Sequence, residues 1–245
     1  MLRMFNRYSL VARVYPALLA LAPVLWTAIV LFPQLLSDYK KGAASALAIG
    51  CVLYLIANLA RSRGKFAEDR LLVAWGGWST TIVLRHRDGR IDHVTKERYH
   101  SALGAMIGRP LPTAESEAVA PADADDIYRS ATKRLLEVRR GPKHQIIEDE
   151  NASYGFRRNL FGLRPIAVGL AILAGVVTGI IWWARLSPRV TLTALVDSIS
   201  TYPYLLILVT ADLAYALLLA LMVTEAFVRQ AADEYALALL RSLEG

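Results

Sequence analysis

The sequence predicts an all-α integral membrane protein, with four transmembrane helices and a mainly helical insert containing a small strand element between helices 2 and 3. Three observations predict it. Of 245 residues, 55% are hydrophobic while 20% are charged, so apolar and polar stretches are segregated along the chain. Four apolar runs, 15–36, 43–60, 165–184 and 204–228, approach or exceed the ~20 helical residues needed to cross a hydrocarbon core roughly 30 Å thick. Lys and Arg collect at alternate ends of those runs.

Arg3, Arg7 and Arg13 precede the first run, as in a signal peptide. The run is longer than a signal-peptide apolar core and no small-residue cleavage site follows, so it is expected to remain as a span. Pro33, Ser37 and Gly42 mark a short hairpin into the second run, the shortest of the four. Within it, Ala48, Ile49, Gly50 and Cys51 resemble a lipoprotein processing site only superficially, being too far along the chain. Cys51 is the single cysteine, which excludes an intramolecular disulfide or a multi-cysteine metal site.

Arg61, Arg63, Lys65 and Arg70 follow the second run, and Arg157, Arg158 and Arg164 precede the third. The opposite connections are poorer in net positive charge: Lys40 and Lys41 with Asp38, Arg185 and Arg189 with Asp197. The asymmetry is expected to place both termini and the 61–164 segment in the cytoplasm. The expected units are 1–60 (helices 1 and 2), 61–164 (soluble sensor segment), 165–228 (helices 3 and 4) and 229–245 (C-terminal helix).

Within 61–164, Trp75 and Trp78 flank Gly76 and Gly77, which predicts a bend. The β-branched run 79–84, ending before Asp88 and Gly89, predicts a short strand. Thr95 is expected to cap a helix over 95–107, and 110–121 reads as a linker with one helical turn. Asp123 opens a helix that Gly141 and Pro142 stop after Arg140, and a further helix from Lys143 toward Leu160 leads into the third span. In that span Gly175 and Gly179 form a small-xxx-small pair, a packing feature. Residues 190–199 are amphipathic and suit a short surface helix, and 227–243 a charged, Leu-rich helix after the fourth span.

Catalytic signatures are lacking: no phosphate-cradling loop with its lysine, no nucleophile elbow, no helical zinc motif. The expectation is a non-enzyme without cofactor. His86, His93 and His100 recur every seven residues, but Gly89 breaks any common helix, and surface or hydrogen-bonding roles outweigh metal ligation.

The basic residues form three groups: Arg85, Arg87, Arg90, Lys96 and Arg98 with His86; Arg139 and Arg140 with Arg129, Lys133, Arg134 and Lys143; and Arg157 and Arg158 after Tyr154 and Phe156. Arg129, Lys133 and Arg140 fall on one helix face. Guanidinium forks match phosphate oxygens and neighbouring aromatics stack on bases, so these groups are the candidate site for a nucleotide or DNA oligomer. The competing explanation is membrane orientation and anionic lipid, helped by interspersed acids such as Asp88, Asp92, Glu97 and Glu148 to Glu150.

Asp212 lies inside the fourth run, with Tyr215, Leu219, Met222 and Glu225 near the same helical face. A symmetric oligomer would repeat that stripe as an acidic, pore-lining ring. The alternative is a hydrogen bond to a nearby Tyr, Thr or Asn58 inside a passive bundle.

Two stretches resemble a group of bacterial membrane proteins: Trp75 to Thr81 continuing through Leu84, Arg85, His86, Arg87, Asp88 and on to Arg98, Tyr99, His100; and Glu150 to Leu160. The group is similar to the HalA-type membrane effectors of the Hailong anti-phage defence system. The resemblance implies a homo-oligomeric ion channel, a tetramer, whose cytoplasmic part senses DNA oligomers made by a partner nucleotidyltransferase. It further implies that bound oligomer holds the pore shut and that its loss depolarises the membrane. The candidate residues above rest on charge, not on the resemblance. The alternative function is a non-conducting, membrane-anchored scaffold docking a cytoplasmic protein through 123–140 and 227–243.

Overall fold

The computed structural model describes residues 7–34, 39–185 and 191–244, and every regular element among them is helical. Four helices are long and apolar enough to cross a membrane: α1 (Arg7–Leu31), α2 (Tyr39–Trp75), α7 (Gln145–Arg185) and α9 (Pro203–Met222). Between α2 and α7 lie α3 (Ser79–Leu84), α4 (His93–Ile107), α5 (Ala114–Val119) and α6 (Pro121–Val138). A short α8 (Leu192–Thr201) precedes α9, and α10 (Glu225–Arg241) closes the chain. The expected end of the first span at Leu36, and the start of the amphipathic stretch at Val190, fall outside the described residues.

The predicted strand is a helix. A lone strand would leave its backbone donors and acceptors without a partner, and no second strand exists among the described residues to supply one. One and a half turns of helix instead bury Val83 and Leu84 completely in a core shared with Tyr99, Leu103, Tyr128 and Leu135. The next helix starts earlier than expected because Asp92, not Thr95, is its cap, its carboxylate accepting from the Thr95 N–H at 2.9 Å. The fourth apolar run does not continue to 228. It breaks at Val223, and Thr224 caps α10 by accepting from the Phe227 N–H at 3.3 Å.

The α7 helix is the axis of the bundle, contacting α1, α2, α9 and α10. It runs without interruption from the intervening segment into the third span, so the two regions share one rigid rod. Pro165 sits inside it where the apolar part begins. The inner side holds Ala20, Ala60, Leu163, Ala167 and Leu219, while Leu55, Ile180, Ile207, Leu217 and Leu221 are exposed on the outside. Alanines interleaved with leucines inside and large apolar residues outside is the distribution expected where the surroundings are lipid and close approach replaces hydrophobic exclusion. The closest approach is between Gly64 of α2 and Gly162 of α7. A Cβ on Gly162 would lie 2.6 Å from the Gly64 nitrogen, so these helices cross backbone to backbone.

Candidate functional site

Where α2 ends, Gly76 and Gly77 take positive φ angles of 76° and 129° and turn the chain into α3. Arg85 locks that bend. Its guanidinium donates two bonds to the Asp125 carboxylate, at 2.8 and 2.6 Å, and one to the Gly76 carbonyl at 2.6 Å. The bend hangs α3 and α6 beside the end of the bundle, leaving a space between them and α2, α7 and α10.

That space is a cavity of about 760 Å³ with a strongly basic lining. One wall is the end of α6 and the turn after it, with Arg129, Lys133, Arg139 and Arg140. The opposite wall brings Arg13 from α1, Arg61 and Lys65 from α2 and Arg158 from α7. Trp75, Trp78, Tyr8 and Tyr154 supply ring surfaces, and Glu68 and Glu148 are the acidic members. Arg129 is paired with Asp126, and Lys65 and Arg158 with Glu68. Arg13, Arg61, Lys133, Arg139 and Arg140 have no salt-bridge partner among the described residues. Three buried polar atoms of lining side chains, Ser79 Oγ, Thr81 Oγ1 and Arg139 Nε, also lack a hydrogen-bond partner there. Unsatisfied donors and uncompensated cations around one concavity fit an anion with several acceptor oxygens. The volume falls within the range of small-molecule sites.

The floor of the cavity is an ordered charge network. Glu68, 2% exposed, accepts from Arg158 Nη1 and the Tyr154 hydroxyl at 2.7 Å each, and from Lys65 Nζ at 2.5 Å. Burial pushes its carboxyl up, but the Arg158 charge and these hydrogen bonds outweigh burial and hold it below the ordinary carboxylate range. Burial and the Glu68 charge together push the Tyr154 hydroxyl up, and burial pushes Tyr235, stacked on it, up to about 12. Arg158 also donates to Asn159 Oδ1, and the Asn159 amide donates to the Ala12 carbonyl of α1 at 2.6 Å.

Of the nine basic residues expected to bind ligand, the structure brings together Arg139, Arg140 and Arg158 at this cavity. The others lie apart. Besides Arg85, Lys96 is buried and donates to the Arg85 and Asp88 carbonyls, and burial lowers its ammonium below the usual range. Arg90 bridges Asp88 and Asp233, and Arg98 pairs with Glu244. Arg157 donates to the Phe227 carbonyl at 3.2 Å and lies over the Phe227 ring, while Arg87 is exposed away from the cavity. The residues that sequence reasoning missed, Arg13, Arg61 and Lys65, read in the sequence as orientation charges alone. Their signal is present there, since charges at the ends of neighbouring spans must converge in space. His86 and His100 meet edge to face and bond the Pro112 and Leu84 carbonyls. No cluster able to hold a metal is found among the described residues.

The expected pore-lining stripe divides. Asp212 is fully buried inside one chain, accepting from Trp26 Nε1 at 2.6 Å and Thr27 Oγ1 at 3.1 Å. Tyr215 donates to the Leu19 carbonyl and Leu219 is buried in the bundle core. Met222 faces outward, and Glu225, in α10 and not in the span, accepts from Trp75 Nε1 at 2.8 Å. Asp212→Leu would leave the Trp26 and Thr27 donors unpaired, and we expect a loss of about 2 kcal/mol. Unfolding in detergent followed by tryptophan fluorescence measures it. A melting temperature equal to the parent's would show that the pair of bonds contributes nothing.

Comparison with protein-family models, with curated proteins and with solved structures finds no match.

Proposed function

We propose that this chain is a ligand-controlled membrane effector whose control site is the basic cavity at the base of the four-helix bundle. The observation that supports it is the convergence of five cations, unpaired among the described residues, from α1, α2, α6 and the turn after α6 on one space beside the roots of the spans. An anion bound there touches two of the spanning helices and, through Arg158, a third. Its arrival or loss therefore bears on how the helices cross. The ligand class that suits this lining is a nucleotide or short DNA oligomer, with phosphates on the cationic walls and bases on Trp75, Trp78 or Tyr8. The segment 61–164 and both termini are then cytoplasmic, in line with the distribution of Lys and Arg.

The output we assign is ion conduction by an assembly of copies in the bacterial inner membrane, as the resemblance to the anti-phage effectors implies. The test uses purified full-length protein. Lys133→Met combined with Arg140→Met is expected to weaken binding of a short single-stranded DNA at least tenfold. Each lost phosphate contact should also lower the salt dependence of binding by about one unit of log–log slope. In a planar bilayer the same DNA should change the parent's conductance and leave that of the double variant unaffected. A double variant that binds DNA as the parent does would remove the cavity from consideration. A protein that binds DNA but never conducts would remove the channel.

A further inference from the structure

Among the charges of the cavity wall, Glu68 is the most buried, and its three hydrogen-bond donors, Lys65, Arg158 and Tyr154, all line the cavity as well. They make the set of contacts that a phosphate group would make: an ammonium, a guanidinium and a hydroxyl directed at two oxygens. We propose that Glu68 is an intramolecular competitor for the ligand, the chain's own carboxylate holding these donors in place of a ligand phosphate. The inference rests on the assignment of the cavity as the ligand site and concerns how that site is regulated.

Two features favour competition over a sealed structural pair. First, the pair borders a space that retains five cations, unpaired among the described residues, after Glu68 is satisfied, so a second anion is attracted to the same place. Lys65 is the accessible member, its side chain 56% exposed, and it can turn from Glu68 to a ligand without leaving the cavity. Second, Arg158 is tied onward. Its bonds to Asn159 Oδ1, and the Asn159 bond to the Ala12 carbonyl, connect it to α1. Asn159 also packs directly on Gly64, where a Cβ would lie 2.0 Å from Asn159 Oδ1. A ligand phosphate that draws Arg158 from Glu68 therefore acts on the residue that spaces α1, α2 and α7. It also sets the freed carboxylate against an anion, a like-charge repulsion borne by α2 beside its crossing with α7.

The experiment is calorimetric titration of the detergent-solubilised full-length protein with inorganic pyrophosphate. Glu68→Gln keeps the shape and one acceptor oxygen, turns the other into an amide donor and removes the competing charge, and is expected to bind about tenfold tighter than the parent. Glu68→Asp keeps the charge but cannot span all three donors, and is expected to bind tighter by a smaller factor. This conservative variant carries the test if Glu68→Gln does not stay folded by gel filtration. Lys133→Met with Arg140→Met, remote from Glu68 on the other wall, is expected to bind at least tenfold more weakly. If the Glu68 variants bind no tighter while the double variant weakens, competition is overturned and the site stands. If the double variant binds pyrophosphate as the parent does, the site itself is overturned and the inference with it.

Discussion

Gly162→Ala is expected to destabilise the protein by about 3 kcal/mol, the upper end of ordinary overpacking costs. The added methyl would lie 2.6 Å from the carbonyl carbon of Arg63 and from the nitrogen of Gly64, and 2.7 Å from the Arg63 oxygen. All three are backbone atoms of α2, so no side chain can swing aside and the whole helix must move. The change should lower the melting temperature in detergent and disturb Asn159, which fills the space opposite Gly64. Gly179→Ala is the internal control. Nothing lies within 4 Å of a Cβ there, and replacing a helical glycine gains up to about 1 kcal/mol of helix propensity. The two substitutions, on the same helix, should shift stability in opposite directions. Equal melting temperatures would mean that the α2–α7 crossing is not the tight contact described.

The second large effect is expected from Arg158→Met. Removing one partner of a buried pair leaves the other charge without full compensation, at a cost of about 3–5 kcal/mol. Arg158 and Glu68 have side chains only 7% and 2% exposed, so screening by water offers little relief. The sign with pH follows from the lowered Glu68 carboxyl. Its contribution is fully present above the ordinary value of 4.5 and is lost as pH falls through the lower folded value. Chemical unfolding at neutral pH and again near pH 4 should show the variant far less stable at the first and closer to the parent at the second. A variant as stable as the parent at neutral pH would show that Lys65 and Tyr154 suffice for Glu68.

Particular residues show which inferences the chain supports before folding. Helical periodicity places Arg129 and Lys133 on one face of α6, whereas Arg140, expected on the same helix, reaches their wall of the cavity from the turn after Val138. Arg85 and Lys96, equally basic in sequence, are internal fasteners of a bend and a turn. A local pattern does not distinguish a cation with no acidic partner from one already satisfied, because Asp125 is distant in sequence and backbone carbonyls leave no trace in it. Asp212 poses the same ambiguity. Its partners Trp26 and Thr27 come from the other end of the chain, and a helical stripe read on one helix contains no information about which neighbour it faces. The 79–84 run fails as a strand for a related reason: β-branched composition reports a side-chain preference, whereas a strand requires a partner.

By itself, the sequence determined that this chain has four helices long and apolar enough to cross a membrane, that the rest is polar and mainly helical, and that positive charge gathers at the ends of the spans. These are properties of length, hydropathy and periodicity, which act locally. The tertiary structure decided which charges meet, which are already neutralised, and where the helices touch. A salt bridge, a cavity and a backbone-to-backbone crossing each depend on two segments far apart in the chain. Hence the four spans were legible from composition, while Glu68, the residue on which control of the basic cavity is proposed to turn, emerged only when α2 was laid against α7.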